Sequence, residues 1–447
     1  MSRLLIEGAT LLGLADRSDI RPGTDLYAED GTIRAAGEEA RRLAAAGGEA
    51  AERLDARGKW ILPGFVQAHL HLCQTLLRNG PEDLELLPWL ETHVWPGEAA
   101  HDASTMAVSA RLGLSECLAG GVTALLDMGT VRHSDALFEA AAQAGVRYTG
   151  GNVLMDDPDT TPPNLRASPK EGLAETLRLH AAFHGGEDGR LRVAVQPRFA
   201  VSCTEELLLR AAELASEKAL LIHTHAAENR GEVDLVQRRT GLGNVAYLGR
   251  VGILTEHTCL AHAIHTDAVD WELLRARGTS VAHCPTSNMR LASGVCPVGD
   301  LRRAGVRVCL GSDGAACNNS LDPFREMRLA CFLPQTRPVP ERLSAFEALR
   351  MATWEGARAL GLPGPEGLVP GGRADLVILD PEEGWALPES WSEEPYGAIV
   401  YSMSRSNVWA TVVDGRVRYQ AGDATVGGFK PRPDEIRAAV ESLKSRM

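Results

Sequence analysis

Apolar positions in the middle of the chain occur in short runs, and stretches with helical periodicity separate these runs. One such stretch is EELLLRAAELASEKA (205–219), whose apolar residues recur at the spacing of one helix face. Strands that alternate with helices indicate an α/β fold with a parallel sheet, and eight such units fit a (β/α)8 TIM barrel. The predicted strands cover residues 61–72, 121–128, 146–155, 191–199, 219–228, 259–265, 279–285 and 306–314.

Both ends of the chain show a different pattern, with short strand-like runs joined by turn signals. The runs cover residues 4–12, 25–36, 373–380 and 408–423, with Asp30-Gly31 and Asp414-Gly415 as hairpin turns. Neither end has enough strands for a stable sheet of its own. We therefore expect one small β-sandwich domain made of residues 1–58 and 363–447, with the barrel, residues 59–362, inserted between them. Two independent β-extensions are the alternative.

The bulk composition excludes some classes of partner. The chain has 447 residues and a formal net charge of −13, which disfavours binding to nucleic acid or to an anionic membrane surface. Its nine cysteines are scattered and include no CxxC pair, as is typical of reduced thiols in a cytoplasmic protein. We see no signal-peptide pattern and no apolar run long enough to span a membrane. The sequence leaves open whether the chain forms homo-oligomers.

Chemically versatile residues cluster at the predicted carboxyl ends of the barrel strands. That end of a TIM barrel carries the active site. The residues are His69, His71, His225, Glu228, His262, His283 and Asp313.

Two of these strands carry histidines in an HxH pattern, which places both imidazoles on one face. His69 and His71 can therefore share one ion. His223 and His225 repeat the pattern, and spacing alone allows either as a ligand. We favour His225 because it lies nearer the rim and nearer Glu228, with His223 packed behind it. Asp313 adds a carboxylate that needs a cation or a positively charged partner if buried, although a helix N-cap is the alternative interpretation.

Three imidazoles and one carboxylate suit Zn²⁺, with Fe²⁺ as the alternative, better than Mg²⁺ or Ca²⁺. Such an ion lowers the pKa of bound water from about 15.7 to about 7. Glu228 follows His225 beyond the strand end, where a carboxylate that does not bind the ion can shuttle protons. His262 can hydrogen-bond the nucleophilic water or polarise the group under attack. We expect one divalent ion per chain.

An ordered set of motifs resembles the amidohydrolase superfamily: PGFVQAHLHL (63–72), HTHAAE (223–228), LAH (260–262), HCPTSN (283–288) and LGSDG (310–314). The similarity extends to GRADLVILD (372–380) and so covers nearly the whole chain. Within the superfamily the chain is similar to the branch of adenosine-type nucleoside deaminases, guanine deaminases and s-triazine hydrolases.

The resemblance implies one metal ion bound by His69, His71, His225 and Asp313. It implies that Glu228 protonates the ring nitrogen and delivers protons to the leaving ammonia, with His262 beside the hydroxide. Members with two metals often carry a carboxylated lysine after the fourth strand. Here that strand ends in Gln196-Pro197-Arg198-Phe199, without lysine, which favours a single ion.

The same resemblance suggests substrate contacts that point to two kinds of purine. In WLETHVWPGEAA (89–100), Trp89 is an expected substrate contact, and Glu98 matches a glutamate that binds ribose hydroxyls. Its alternative role is that of an exposed glutamate at a helix N-terminus. Arg198 and Phe199 instead match the PRF segment of guanine deaminases, and Gln74 matches their base-reading glutamine.

Several other positions bear on the choice of substrate or on the shape of the barrel mouth. Asn152 stands where some relatives carry an arginine for a carboxylate tail, which disfavours S-adenosylhomocysteine. Cys317, for which we favour a packed thiol, stands where relatives often have serine. Asn318 and Asn319 belong to the same predicted rim, and the role of His283 stays open.

We therefore expect a hydrolase of C–N bonds in cyclic amidines that deaminates a purine compound. The leading substrate is a 5′-modified adenosine of the 5′-deoxyadenosine or methylthioadenosine type. The alternatives are an oxopurine such as guanine or a pterin, and an s-triazine with loss of chloride or an amine. Glu228 favours deamination, because chloride departs without a proton. A non-catalytic barrel scaffold is the alternative from another class, and the complete ligand set argues against it.

Overall fold

The computed structural model describes residues 2–46, 50–337, 342–362, 364–384, 394–422 and 429–447. Parallel strands arranged as predicted build the larger part of the molecule. Most of them are buried along their whole length, as strands covered by helices on one side and by the barrel interior on the other must be. In barrel order the strands are Phe65–His71, Val122–Asp127, Arg147–Gly150 with Val153–Leu154, Leu191–Pro197, Leu221–Ala226, Thr258–His262, Ser280–His283 and Arg307–Leu310.

A short ninth segment closes the ring. Asp313–Gly314 follows the eighth strand and pairs in parallel with Leu70 and His71 of the first strand. The predicted α/β barrel is confirmed by this topology. The predicted strand 61–72 divides at Gly64, where a Cβ atom would collide with the Thr123 side chain. Its first part, Trp60–Pro63, joins the other sheet.

Helices surround the barrel, and several begin at a capping residue that the sequence makes recognisable. Asp102 and Ser168, for example, cap their helices through side-chain hydrogen bonds to the first turn. The helices of the barrel region are Ala103–Ala119, Ser134–Ala144, Pro169–Phe183, Gly186–Gly189, Glu205–Lys218, Arg230–Thr240, Asn244–Arg250, Ala268–Arg277, Pro285–Arg290, Val298–Arg303, Ala315–Asn318, Pro323–Phe332, Leu333–Thr336, Ala345–Met351 and Trp354–Ala359.

A second sheet combines strands from both ends of the chain, as the two terminal patterns predicted. Its strands share one apolar core that includes Leu4, Leu26 and Ile378. Both predicted hairpin turns form, with Asp30 and Asp414 in the left-handed region at φ 47° and 55°. The strands are Arg3–Leu12, Ile20–Glu29, Thr32–Ala36, Glu52–Asp55, Trp60–Pro63, Leu376–Leu379, Val408–Val413 and Arg416–Gln420.

Helices Glu38–Ala46, Ala398–Ser402, Arg405–Asn407 and Pro433–Lys444 complete the terminal parts of the chain. The division at residues 58 and 362 stays a prediction. Residues 1, 363 and 423, which bound predicted segments, lie outside the described residues. None of the helices in the described ranges combines the length and the apolar character that a membrane crossing requires.

A series of short helical segments between the first strand and its helix covers the mouth of the barrel. These segments are Leu72–Leu77, Leu86–Trp89, Leu90–Val94 and Trp95–Ala99. The third is a π-helix, a geometry that is frequent at functional sites. They bring the predicted substrate contacts Gln74, Trp89 and Glu98 to the face where the histidines lie.

Candidate metal centre and active site

His69 and His71 end the first barrel strand, and both side chains are buried in the mouth of the barrel. A register shift toward the second strand, between Gln67 and Leu70, marks a bulge just before the pair. Bulges beside active sites re-aim side chains. The two ring centroids lie 5.0 Å apart. The strand therefore presents both histidines to one site, as their spacing predicted.

His225 reaches the same point from the fifth strand. Its Nε2 lies 3.2 Å from Nε2 of His71. Its Nδ1 lies 2.7 Å from the carbonyl oxygen of Arg198, which can only accept a hydrogen bond. The Nδ1 of His225 therefore carries the proton, and the lone pair on Nε2 faces the cluster.

His223 lies one layer deeper and contacts His69 rather than the pocket. Its Nδ1 donates to the carbonyl oxygen of Cys259 at 2.9 Å, so its Nε2 accepts from Nδ1–H of His69 at 2.8 Å. This chain of hydrogen bonds leaves the lone pair of His69 on Nε2, directed toward Asp313. A partner that orients a ligand in this way is typical of metal sites, and it is the position that we expected for His223.

Asp313 completes the cluster from the segment that closes the barrel. Its Oδ1 lies 3.3 Å from Nε2 of His69 and 3.4 Å from Nε2 of His71. Its backbone is left-handed at φ 61°, a conformation that an aspartate adopts at a cost and that is common at functional sites. Ser287 donates to its Oδ2 at 2.5 Å. The carboxylate is therefore held against the imidazoles from two sides.

The electrostatics of the cluster fit a divalent cation. Burial lowers the pKa of His69 to about 4 and the pKa values of His71 and His225 well below the usual value, so all three rings are neutral at pH 7. Nε2 of His69 has no hydrogen-bond partner among the described residues. Neutral imidazoles around a buried carboxylate form a donor set for Zn²⁺ or a similar ion.

Glu228 and His262 stand beside this cluster. Nε2 of His262 lies 3.4 Å from a carboxylate oxygen of Glu228 and 3.8 Å from Oδ2 of Asp313. Burial, followed by the charges of Asp313 and Glu232, raises the pKa of Glu228 well above its usual value. Its other oxygen, Oε1, has no partner in the part of the chain that the structure describes. A buried carboxyl whose pKa is raised in this way is suited to act as a general acid.

A pocket of about 370 Å³ opens onto the cluster. Its lining combines polar side chains such as Glu228 with apolar ones such as Trp89 and Phe199. A mostly apolar lining with a few polar groups suits a heteroaromatic ligand. The lining residues are His71, Gln74, Leu86, Trp89, Leu90, Arg198, Phe199, His225, Glu228, Leu291 and Asp313.

Glu98 and Arg198, the two residues that pointed to different purines, bind each other. Their side chains form a buried ion pair in which Nη1 of Arg198 lies 2.7 Å from Oε2 of Glu98 and Nη2 lies 3.2 Å from Oε1. Gln74 donates its amide to Oε1 of Glu98 at 2.9 Å. The alternative of an exposed helix-terminal glutamate is wrong, because Glu98 is 5% exposed.

Four positions whose roles the sequence left open lie around the site. The Cys317 thiol is buried and donates to the carbonyl oxygen of Gly314, as a packed thiol does. Asn318 donates to the carbonyl oxygen of Ser312, and Asn319 has a left-handed backbone. Burial lowers the pKa of His283 to about 3, so this ring is neutral.

Sequence analysis missed several residues that hold the site together. Ser287 and Asn288 follow the seventh strand on the helix Pro285–Arg290 and contact Asp313 and His262. Glu232 accepts hydrogen bonds from the turn that carries Glu228. The motif HCPTSN contains the first two, but no periodicity distinguishes them from ordinary loop residues. The capping signal Asn229-x-x-Glu232 was readable, although it indicates only a helix start.

The chain belongs to the amidohydrolase family, because the family's sequence profile matches residues 60–418. This finding confirms the resemblance seen in the motifs. Against curated proteins, the chain is 39% identical over 383 residues to a 5′-deoxyadenosine deaminase of Methanothermobacter thermautotrophicus, covering 85% of this chain and 86% of that protein. It is 35% identical over 427 residues to a 5-methylthioadenosine/S-adenosylhomocysteine deaminase of Symbiobacterium thermophilum, covering 94% of each.

Solved structures agree with the fold described above. An adenosine deaminase from Xanthomonas campestris with bound zinc superimposes with a TM-score of 0.88 at 28% identity, over 99% of both chains. The similarity includes the barrel and the second sheet, because it extends over nearly all of each chain.

Proposed function

We propose that this protein is a metal-dependent hydrolase that deaminates a purine nucleoside modified at its 5′ position and releases ammonia. The observation that carries the proposal is the placement of Glu228. Its carboxyl group lines the pocket next to the histidine and aspartate cluster, and its Oε1 has no hydrogen-bond partner among the described residues. The curated relatives named above, which align over most of the chain, support the same reaction class.

His69, His71, His225 and Asp313 would hold one divalent ion, with zinc as the leading candidate and iron as the alternative. When bound, such an ion lowers the pKa of water and makes hydroxide available at neutral pH. The orientation of two of the imidazoles supports this assignment, since a hydrogen bond from His69 to His223 and one from His225 to the Arg198 carbonyl direct their lone pairs inward.

Glu228 would transfer the protons of the reaction, and His262 would position the attacking group. Glu228 would donate a proton to N1 of the purine as the oxygen nucleophile adds to C6. The C6–N bond then breaks, and the amine leaves as ammonia with a second proton that Glu228 has taken from the attacking oxygen. His262 donates through Nδ1 to Asn288, so its Nε2 is left as an acceptor that can hold the attacking group in place. General acid–base catalysis of this kind contributes about 10²–10⁴-fold to the rate.

The Glu98–Arg198 pair supports a nucleoside rather than an oxopurine as substrate. Both terminal nitrogens of Arg198 donate to Glu98, so they are already occupied and less available to a purine carbonyl. A carboxylate held by Arg198 and Gln74 keeps further lone pairs that can accept from ribose hydroxyls. Guanine and pterins are therefore the second candidates, and the location of Gln74 and Arg198 in this region favours them.

The test is a substrate panel assayed on the zinc-loaded protein. The panel contains 5′-deoxyadenosine, methylthioadenosine, adenosine, S-adenosylhomocysteine, guanine, a pterin and a chlorinated s-triazine, with released ammonia or chloride as the readout. We expect ammonia from the first two at the highest kcat/KM. Ammonia from guanine alone would replace the proposed substrate class, and no product from any compound would refute the proposed activity.

A further inference from the structure

The turn that carries Glu228 is held from behind by a second buried glutamate, Glu232. The backbone N–H of Glu228 donates to Oε2 of Glu232 at 2.8 Å, and the N–H of Ala227 donates to Oε1 at 3.3 Å. The N–H of Asn229 approaches Oε2 at 3.5 Å. From the opposite side, the Asn244 side chain also donates to Oε1. The Glu232 carboxylate thus accepts from the backbone N–H groups of three successive residues, and the middle one of these is the proposed general acid, Glu228.

This arrangement exceeds what starting a helix requires. Glu232 is the N3 residue of a capping box with Asn229, and Glu171 plays the same part at the start of helix Pro169–Phe183. Glu171 is exposed, and its side-chain hydrogen bonds within the described residues go to Ser168, the N-cap residue. Glu232 is 0% exposed and reaches two residues further back, to Ala227 and Glu228. The additional contacts therefore serve the turn and not the helix.

The turn needs such support because its backbone is strained. Ala227 has φ 52°, in the left-handed region, which costs a residue with a Cβ atom about 1–2 kcal/mol. The four groups that donate to Glu232 are all uncharged, so the buried carboxylate is stabilised by the turn as much as the turn is stabilised by it. Hydrogen bonds to a charged acceptor contribute about 1.5–3 kcal/mol each, enough to offset that strain.

We propose that Glu232 is a positioning residue that holds the Ala227–Asn229 turn so that Glu228 stays aligned for proton delivery. The inference rests on the proposed deaminase function. Glu232 lies behind the turn, does not line the pocket and does not touch the cluster of proposed ligands. Its effect passes through the backbone to the Glu228 carboxyl, which lies 3.4 Å from His262.

The test compares two leaving groups in Glu232→Gln. The amide keeps the size of the side chain but turns one acceptor into a donor facing backbone N–H groups. With a 6-amino nucleoside, we expect kcat to fall about 10–100-fold with little change in KM, since a displacement near 1 Å can cost about 100-fold. With the 6-chloro analogue, C6 takes the hydroxide oxygen and chloride leaves with the bonding electrons, without needing a proton. With this analogue, we expect the loss of kcat in Glu232→Gln to be at least about fivefold smaller than the loss with the 6-amino nucleoside.

Glu171→Gln is the matched control, because it removes a capping-box glutamate far from the pocket. We expect its kcat on both substrates and its zinc content to equal those of the wild type. If Glu232→Gln does not fold, Asn244→Ala provides the second variant, since it frees the carboxylate without removing it. We expect the same selective loss, smaller in size.

Equal losses of kcat on the two substrates, or an unchanged kcat, would overturn the positioning role of Glu232. Loss of zinc from Glu232→Gln would do the same, because the residue would then support the metal cluster. Failure of the wild-type protein to release ammonia would instead refute the proposed function. The two failures are therefore distinguishable in one experiment.

Discussion

The buried ion pair between Arg198 and Glu98 allows a specific prediction about the free energy of unfolding. Only 4% and 3% of the two side chains are exposed, and two contacts join them, at 2.7 and 3.2 Å. Arg198→Leu removes the cation and leaves the carboxylate buried with only uncharged donors among the described residues, the Gln74 amide and the Cys73 thiol. Removing one partner of a buried ion pair costs about 3–5 kcal/mol, whereas replacing both partners is often neutral. We expect that cost in Arg198→Leu and a clear recovery in Glu98→Gln/Arg198→Leu.

The assay is equilibrium unfolding in urea at constant zinc concentration, with circular dichroism as the probe. The control is Arg239→Leu, which breaks the ion pair with Asp157 at 3.1 Å, where the arginine side chain is 30% exposed. A partly exposed pair contributes about 0–1 kcal/mol, so the urea midpoint of the control should barely move. Equal midpoints for Arg198→Leu and Arg239→Leu would refute the reasoning, as would a double variant as unstable as Arg198→Leu.

The Glu98–Arg198 ion pair should also affect the KM for the nucleoside substrate. If Glu98 accepts from ribose hydroxyls, Glu98→Gln loses charge-assisted hydrogen bonds, each of which contributes about 1.5–3 kcal/mol. That loss corresponds to a rise of about 10–150-fold in KM for the nucleoside, with a smaller effect on the free base adenine. An equal effect on nucleoside and base would show that Glu98 does not bind the ribose.

Three further predictions concern the acid, the metal and pH. Glu228→Gln should lower kcat by about 10²–10⁴-fold while the zinc content stays near one per chain by atomic absorption, and zinc loss would make Glu228 a ligand. Removing the metal with a chelator should abolish ammonia release, and added zinc should restore it; activity that persists without metal would contradict the assignment of His69, His71, His225 and Asp313. Burial raises the pKa of Glu326 to about 7, so the folded state binds this proton more tightly than the unfolded state does. The free energy of unfolding should therefore fall by about 3 kcal/mol as the pH rises from about 4.5 through 7. Glu326→Gln should flatten that part of a urea-midpoint profile, and an unchanged profile would contradict the shift.

Local patterns predicted much of the fold. The period of two in His69-Leu70-His71 placed both rings on one face, and the turn signals at Asp30-Gly31 and Asp414-Gly415 predicted both terminal hairpins. These features depend on residues that are close in the chain, so the sequence contains all that is needed to recognise them. The strand Glu52–Asp55 escaped prediction because its charged residues lack an apolar pattern.

Long-range pairing was decided by tertiary structure. The predicted strand ends indicated where a polar side chain would lie in the barrel, but not which other side chain it would contact. Glu98 and Arg198 stand 100 positions apart and were assigned to different substrates until the fold joined them. Glu232 looked like an ordinary helix cap until its burial and its reach to Glu228 were visible. The sequence by itself determined the barrel, the terminal domain and the set of candidate ligands, because periodicity and turn chemistry are local. Only the tertiary structure decided which polar groups pair and which stay open to a substrate, because those contacts depend on distances between residues remote in the chain.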